Sequence, residues 1–500
     1  VEIIDLDSWR PEPGMGIGWR VTPDPRSVDA TATERGASTF LVDNHVRAAL
    51  AARREGKPHR AYLGSGTDID GDLDIDAMTA ALLTFVRRHA ILRTWYDVVD
   101  GEVVARVMPA RTVGLESVDP TALSSSAEII DHIRTRFGRE TSSDSFPGLA
   151  FGAVMREGSF SFFFGADHGL SDGASQVFAV AEISRLYREA RGAGVTTAAG
   201  SADATDRDTP ATEGTCEGFA EFARLEAELT AHHVAGSAEF DAWKRTFVRH
   251  DRRMPRFALD LGLGVGETAP VRPVGVVLLD GDRIADFERI CVEAGGRLIT
   301  GLYAALAITD YELAGSDSYY GMTVFNSRVG LESLAGEYGW FSSFAPVEFA
   351  VSGVRTFREL VPDAYVASRR ARKLAVVPPG AALAALIAVG ASPDSVITAP
   401  NLFSYIDFRK IPDVDEPACR RGVVFTGEGR TANASLWFNR DHDRLYVGSQ
   451  SPDTPFAQSR VLRYLEHLRA VITEVTTVGD RAIGAERSDI ASAGRVAVER

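Results

Sequence analysis

The chain has 500 residues, 45% of them hydrophobic and 25% charged, and carries a formal net charge of −15. That length exceeds what one core normally serves, so two large domains or two halves of a pseudo-dimer are predicted, and the composition excludes a disordered or fibrous chain. The acidic balance and the lack of a long basic run exclude non-specific attraction to nucleic acid or to an anionic membrane surface.

Cys216, Cys291 and Cys419 are scattered and form no CxxC pair, which argues against a disulfide framework or a zinc cluster and fits a reducing, cytoplasmic setting. The opening VEIIDLDSWRPEPG lacks the basic and apolar regions of a secretory signal. Residues 374–393 are the longest uncharged run, but Pro378-Pro379-Gly380 interrupt them, so no transmembrane segment is expected and the second part reads as a buried helix.

In chain order, residues 76–97 carry apolar positions at helical spacing up to His89 and then alternate through Trp95 and Tyr96, with Asp100-Gly101 marking a hairpin turn. Residues 158–168, GSFSFFFGADH, alternate as a strand, and an amphipathic helix follows from Gly173. His168 and Asp172 therefore sit in a tight strand-to-helix loop. Residues 191–215 are crowded with Ala, Gly, Ser and Thr, the composition of an exposed connection. Beyond it come a helical stretch containing His232-His233, read as solvent-facing, the strand VGVVLLDG, and two amphipathic helices. Strands rich in aromatic and β-branched residues follow in SYYGMTVFNSR, GWFSSFAPVEFAV and PNLFSYIDF, and residues 454–475 form a strongly amphipathic last helix. The basic cluster at Arg369–Lys373 reads as a solvated helix face, or alternatively as a contact for a phosphate-bearing donor.

Alternation puts Phe160, Phe162, Phe164, Ala166 and His168 on one strand face and Ser161, Phe163, Gly165 and Asp167 on the other. Asp167 then points away from the imidazole, while Asp172 is placed to cap the helix beginning at Gly173. The bare residues leave His168 open between a structural and a catalytic role. A strand end feeding a helix N-terminus suits a neutral imidazole that removes a hydroxyl proton. There is no HExxH, GxxxxGK[ST] or GxSxG, and GLGVGE at 262–267 lacks the context of a dinucleotide site, so neither a metal nor a bound cofactor is expected.

DHGLSDG resembles the HHxxxDG motif of the condensation-domain and chloramphenicol-acetyltransferase-like superfamily. RRHAILRTWYDVVDGE (87–102), FNSRVGLESLAGEYGWFSSFAPVEF (325–349) and PNLFSYIDF (400–408) are similar to three further segments of that superfamily, in the same order. SWRPEPGMGIGWRV, SLWFNRDHDRLYV and SPDTPFAQSRVLRYLEHL resemble the polyketide-associated (Pap) acyltransferases of actinobacteria more than peptide condensation domains. The resemblance implies an α/β (α+β) fold of two acetyltransferase-like halves forming a V-shaped pseudo-dimer with a tunnel between them. In this chain the halves would span 1–195 and 216–477, with a linker at 196–215 and a tail at 478–500.

It also implies His168 as the base, Asp172 and Gly173 as structural parts of the motif, and Arg328 of the second half as the partner of Asp172. Asp167 stands where the motif has its first histidine. Ser343, Ser404 and Trp437 are candidates for lining the substrate site by position. The implied activity is transfer of a fatty or polyketide acyl group from a phosphopantetheine thioester, acyl-CoA or acyl carrier protein, to a hydroxyl of a small molecule or glycolipid, by a monomeric enzyme. The alternatives are a free-standing condensation enzyme acting on a carrier-bound substrate, with an amine as possible acceptor, and a catalytically silent binding domain.

Overall fold

Strand Ser159–Asp167 has no solvent-facing side, because its alternating residues feed two separate cores. Phe160, Phe162, Phe164 and Ala166 join one core with Met78, Leu82 and Phe85 of helix Ile75–Arg88 and with Ala179, Ile183 and Leu186 of helix Gly173–Gly192. Phe163 joins another with Ile129, Ile133 and Phe137 of helix Ser126–Glu140. Each fully buried phenylalanine contributes about 1.5–3 kcal/mol, so the run of aromatics anchors the strand from both faces.

The computed structural model describes residues 2–56, 61–192, 217–328, 331, 334, 336–411, 415–427 and 429–484. The expected linker at 196–215 lies outside these residues, as do residues 485–500 of the expected tail. The chain divides into two units, and the division does not follow chain order. The first comprises 1–228, 327–341 and 410–429, and the second 229–326, 342–409 and 430–500.

The first unit is built on a seven-stranded sheet in the order Glu2–Ile3, Val423–Thr426, Tyr62–Asp70, Ser159–Asp167, Leu149–Arg156, Gly14–Pro23 and Val113–Leu123. A small sheet of Thr33–Arg35, Glu102–Val107 and Thr94–Val99 accompanies it. Asp100 and Gly101 make the hairpin turn of that sheet, both with positive φ (53° and 81°), as a two-residue loop between twisted strands demands. Helix Ile75–Arg88 starts where Asp74 accepts the Ala77 N–H.

The second unit holds another seven-stranded sheet, ordered Ser342–Ala350, Ser318–Asn326, Leu402–Asp407, Ser435–Arg440, Arg444–Pro452, Ala269–Asp280 and Arg430–Thr431. Its core is supplied largely by helices Leu298–Ala314, Phe357–Leu374, Pro379–Ala388 and Pro455–Val478. Among the described residues no single helix is long and apolar enough to cross a membrane. His233 departs from its expected exposure: it is buried, with Nδ1 hydrogen-bonded to Ser237 Oγ at 2.7 Å. The polar composition of its helix concealed one face turned inward.

Candidate active site

The turn after strand Ser159–Asp167 is pinned by backbone on both sides. The Asp167 N–H donates to Gly148 O at 2.9 Å and the His168 N–H to Ala61 O at 2.8 Å, after which His168–Leu170 form a single 3-10 turn. The Asp167 carboxylate is 1% exposed, and its hydrogen bonds go to groups other than the His168 ring. Its Oδ1 accepts the Gly169 N–H at 2.7 Å and lies 2.7 Å from Nε2 of His45, on helix Phe40–Arg54. Burial acts to raise the Asp167 pKa, but His45 and the Gly169 N–H outweigh it and hold the carboxyl below its usual range.

His168 stays partly exposed, while its Nδ1 is buried without a hydrogen-bond partner. The indole of Trp340 covers the ring, with centroids 4.1 Å apart at 38°. Burial, and then the charge on His45, push the imidazole below its ordinary pKa. Its own backbone carbonyl and the carboxylates of Asp167 and Asp172 oppose the shift without cancelling it. At neutral pH the uncharged form of the imidazole is therefore favoured.

Asp172 does two jobs with its two oxygens. Oδ1 accepts the Ser175 N–H at 2.8 Å, capping the helix that begins at Gly173, and Oδ2 accepts Nη1 of Arg328 at 2.7 Å and the Phe341 N–H at 3.1 Å. Arg328 is 4% exposed. Its other donors go to Glu337 O, Gly339 O and Ser175 Oγ, and its guanidinium lies 4.3 Å from the centre of the Phe341 ring. Such saturation is what a buried ion pair requires. Chain order assigns Arg328 to the second half, yet segment 327–341 belongs to the first unit, so this pair lies within that unit.

A second buried network backs the turn, in which Ser171 Oγ accepts from the Tyr338 hydroxyl at 2.7 Å and from Gln176 Nε2 at 2.9 Å. Gly339 has φ +153°, and a Cβ there would come within 2.8 Å of the Phe341 ring, so only glycine lets segment 338–341 close over the helix start.

The fold thus assembles His168, Asp167, Asp172, Gly173 and Arg328 in one unit and adds His45, Ser175, Tyr338 and Trp340. Ser343, Ser404 and Trp437 lie in the second unit, all partly exposed on its sheet. Ser343 is opposite Phe325, and Ser404 and Trp437 are opposite each other. Among the described residues no group of three or more His, Cys, Asp or Glu side chains is arranged to hold a metal ion.

No family model matches the chain. It is 25% identical over 492 residues, covering 96% of itself and 89% of the relative, to the 2'-acyl-2-O-sulfo-trehalose (hydroxy)phthioceranyltransferase PapA1 of Mycobacterium tuberculosis (strain CDC 1551 / Oshkosh). Among solved structures, a PapA2 acyl transferase superposes with a TM-score of 0.80 at 20% identity, covering 95% of this chain and 100% of that one. The first condensation domain of the calcium-dependent antibiotic synthetase superposes with a TM-score of 0.61 at 16% identity, covering 89% and 98%. The chain is an acyltransferase with the fold of the condensation-domain and chloramphenicol-acetyltransferase-like superfamily. Its likeness in sequence is to the Pap acyltransferases.

Proposed function

We propose that the chain moves an acyl group from a phosphopantetheine thioester, on CoA or on a carrier protein, to a hydroxyl of a trehalose-type glycolipid, with His168 as general base. The observation that carries this reading is the uncharged, partly exposed imidazole mounted on a turn that the buried Asp172–Arg328 pair locks in place. His168 takes the proton as the acceptor oxygen attacks the thioester carbonyl. The carbon–sulfur bond then breaks, and the imidazolium returns the proton to the departing thiolate. Backbone donors at the N-terminus of helix Gly173–Gly192 supply positive potential for the oxyanion. The acceptor class is argued from PapA1, whose name describes transfer to an acylated sulfo-trehalose, and from the related trehalose-2-sulfate acyltransferase PapA2. Cys291 and Cys419 are buried free thiols, which suits a reducing cytoplasm, and we take the enzyme to act there as a monomer.

The test is purified protein with palmitoyl-CoA or an acylated carrier protein, against trehalose, trehalose-2-sulfate and a panel of amines, read by product mass. Ester formation is expected, and His168→Ala should lower turnover by about 10² to 10⁴. Because the imidazole must be unprotonated, kcat/KM should be flat at neutral pH and fall only on the acid side, below the usual imidazole range near ~6.5. Wild-type turnover in His168→Ala overturns the base assignment, and amide products in place of esters overturn the acceptor.

A further inference from the structure

Asp167 and His45 together raise a question that the assignment of the base leaves open. A carboxylate fills the position beside His168, it is almost wholly out of water, and it makes no bond to the catalytic imidazole. Its Oδ1 gathers two donors, one from inside the turn and one from a helix more than a hundred residues earlier in the chain. We propose that His45 is a positioning residue for the transfer reaction, tying the turn that carries His168 to helix Phe40–Arg54 through its 2.7 Å bond to Asp167. The inference rests on the reading of His168 as base.

The geometry argues for a built contact. The backbone of the turn is already held by the neighbouring strand and by residues 61 and 148, but those bonds fix only where the chain leaves the sheet. Ser171 and Asp172 tie the far end of the turn to segment 328–341, and the side-chain bond of Asp167 ties its near end, beside His168, to helix Phe40–Arg54. Space for it is close: a Cβ on Gly169 would stand 3.0 Å from Asp167 Oδ1 and 3.0 Å from His45 Cδ2, so glycine at that position lets the imidazole approach. His45 also lies 6.2 Å from the His168 ring and 6.1 Å edge-on to Trp340, the residue covering that ring. The helix carrying His45 is itself secured at its start, where Glu226 Oε1 accepts the Phe40 N–H at 2.7 Å. With His45 removed, the buried carboxylate loses a donor it cannot replace with water, and the turn must shift to rehydrate it.

Because Nε2 must donate to an ionised carboxylate, a glutamine at position 45 can supply an N–H in its stead and a leucine cannot. The experiment compares wild type, His45→Gln, His45→Leu and His168→Ala in the full chain. It uses two readouts, acyl transfer from palmitoyl-CoA to trehalose-2-sulfate and the rate of His168 carbethoxylation by diethyl pyrocarbonate, followed by peptide mass. His45→Leu should lose about tenfold to a hundredfold in kcat with KM for both substrates nearly unchanged, the size of effect a small misplacement of a reacting group produces. It should also change the His168 labelling rate at least ~3-fold, while His45→Gln recovers most of both. Wild-type kcat and labelling in His45→Leu, or equal losses in Leu and Gln, overturn the inference. Full activity in His168→Ala overturns the base assignment and with it the role of His45 in transfer, whereas unchanged kcat and His168 labelling in His45→Leu, with His168→Ala inactive, overturn the positioning role alone.

Discussion

At residue 172 one carboxylate serves a helix start and a buried arginine at once, and the balance of its bonds predicts what its loss does. Asp172→Ala takes from Arg328, 4% exposed, the carboxylate that its Nη1 meets at 2.7 Å, and also removes the acceptor for Ser175 N–H and Phe341 N–H. Breaking a buried pair costs about 3–5 kcal/mol, so the variant should melt well below wild type and lose activity with it. Arg328→Ala should do the same from the other side. The double variant should be less damaging than the two losses added, because the pair is broken only once, and a double-mutant cycle of chemical denaturation measures the difference. Asp167→Asn is a contrasting case. Both of its donors meet the same oxygen, and asparagine keeps an acceptor there, so only the charge is lost.

At the scale of elements, the central strand of the first unit's sheet, Ser159–Asp167, and its neighbour Tyr62–Asp70 meet at a pair of glycines. Gly64 and Gly165 are opposite each other, and over them lie the rings of Phe425 and Phe137, stacked 6.1 Å apart. A Cβ on Gly165 would stand 2.5 Å from the Phe137 ring, and Phe137 is fully buried on a packed helix, so it has nowhere to go. Gly165→Ala should cost about 1–3 kcal/mol by overpacking, seen as a lower denaturation midpoint with an unchanged slope. The strand itself was legible in the sequence because alternation and aromatic content agree over 158–168, and so was the hairpin, since Asp-Gly is the residue pair its backbone needs.

His45 was not legible, for a physical reason. Val42, Val46 and Ala49 mark the buried stripe of its helix, and His45 falls on the same face one position before Val46. A polar residue on a core-facing stripe was the available signal, but its partner lies 122 residues away and no local spacing announces it. Nor could chain order reveal that segment 327–341 leaves its neighbours to cover the start of helix Gly173–Gly192.

At the scale of the whole molecule, each unit carries a buried acid that stability should report. Glu226 in the first unit and Asp310 in the second are both pushed up to about 7, mainly by burial. The folded protein therefore holds these protons after the unfolded chain has released them, so stability falls as pH rises from about 4 to about 7 and stays lower above. Glu226→Gln keeps an acceptor for the Phe40 N–H and removes the ionisation. It should stabilise the protein by about 2–3 kcal/mol at pH 8 and by almost nothing at pH 4, which calorimetry at the two pH values checks.

The insertion of Val423–Thr426 between Glu2–Ile3 and Tyr62–Asp70 has a consequence for how the protein is made. A ribosome releases the N-terminal strands long before their neighbour exists, so Tyr62–Asp70 emerges with a bare edge of backbone donors and acceptors. That edge stays unpaired until more than four-fifths of the chain has been translated. The arginine that neutralises Asp172 also arrives late, with residues 327–341. The working turn is thus finished near the end of synthesis, and a nascent chain stopped short of residue 423 would carry its histidine on an incomplete sheet, as a species prone to pair with another copy rather than to turn over substrate.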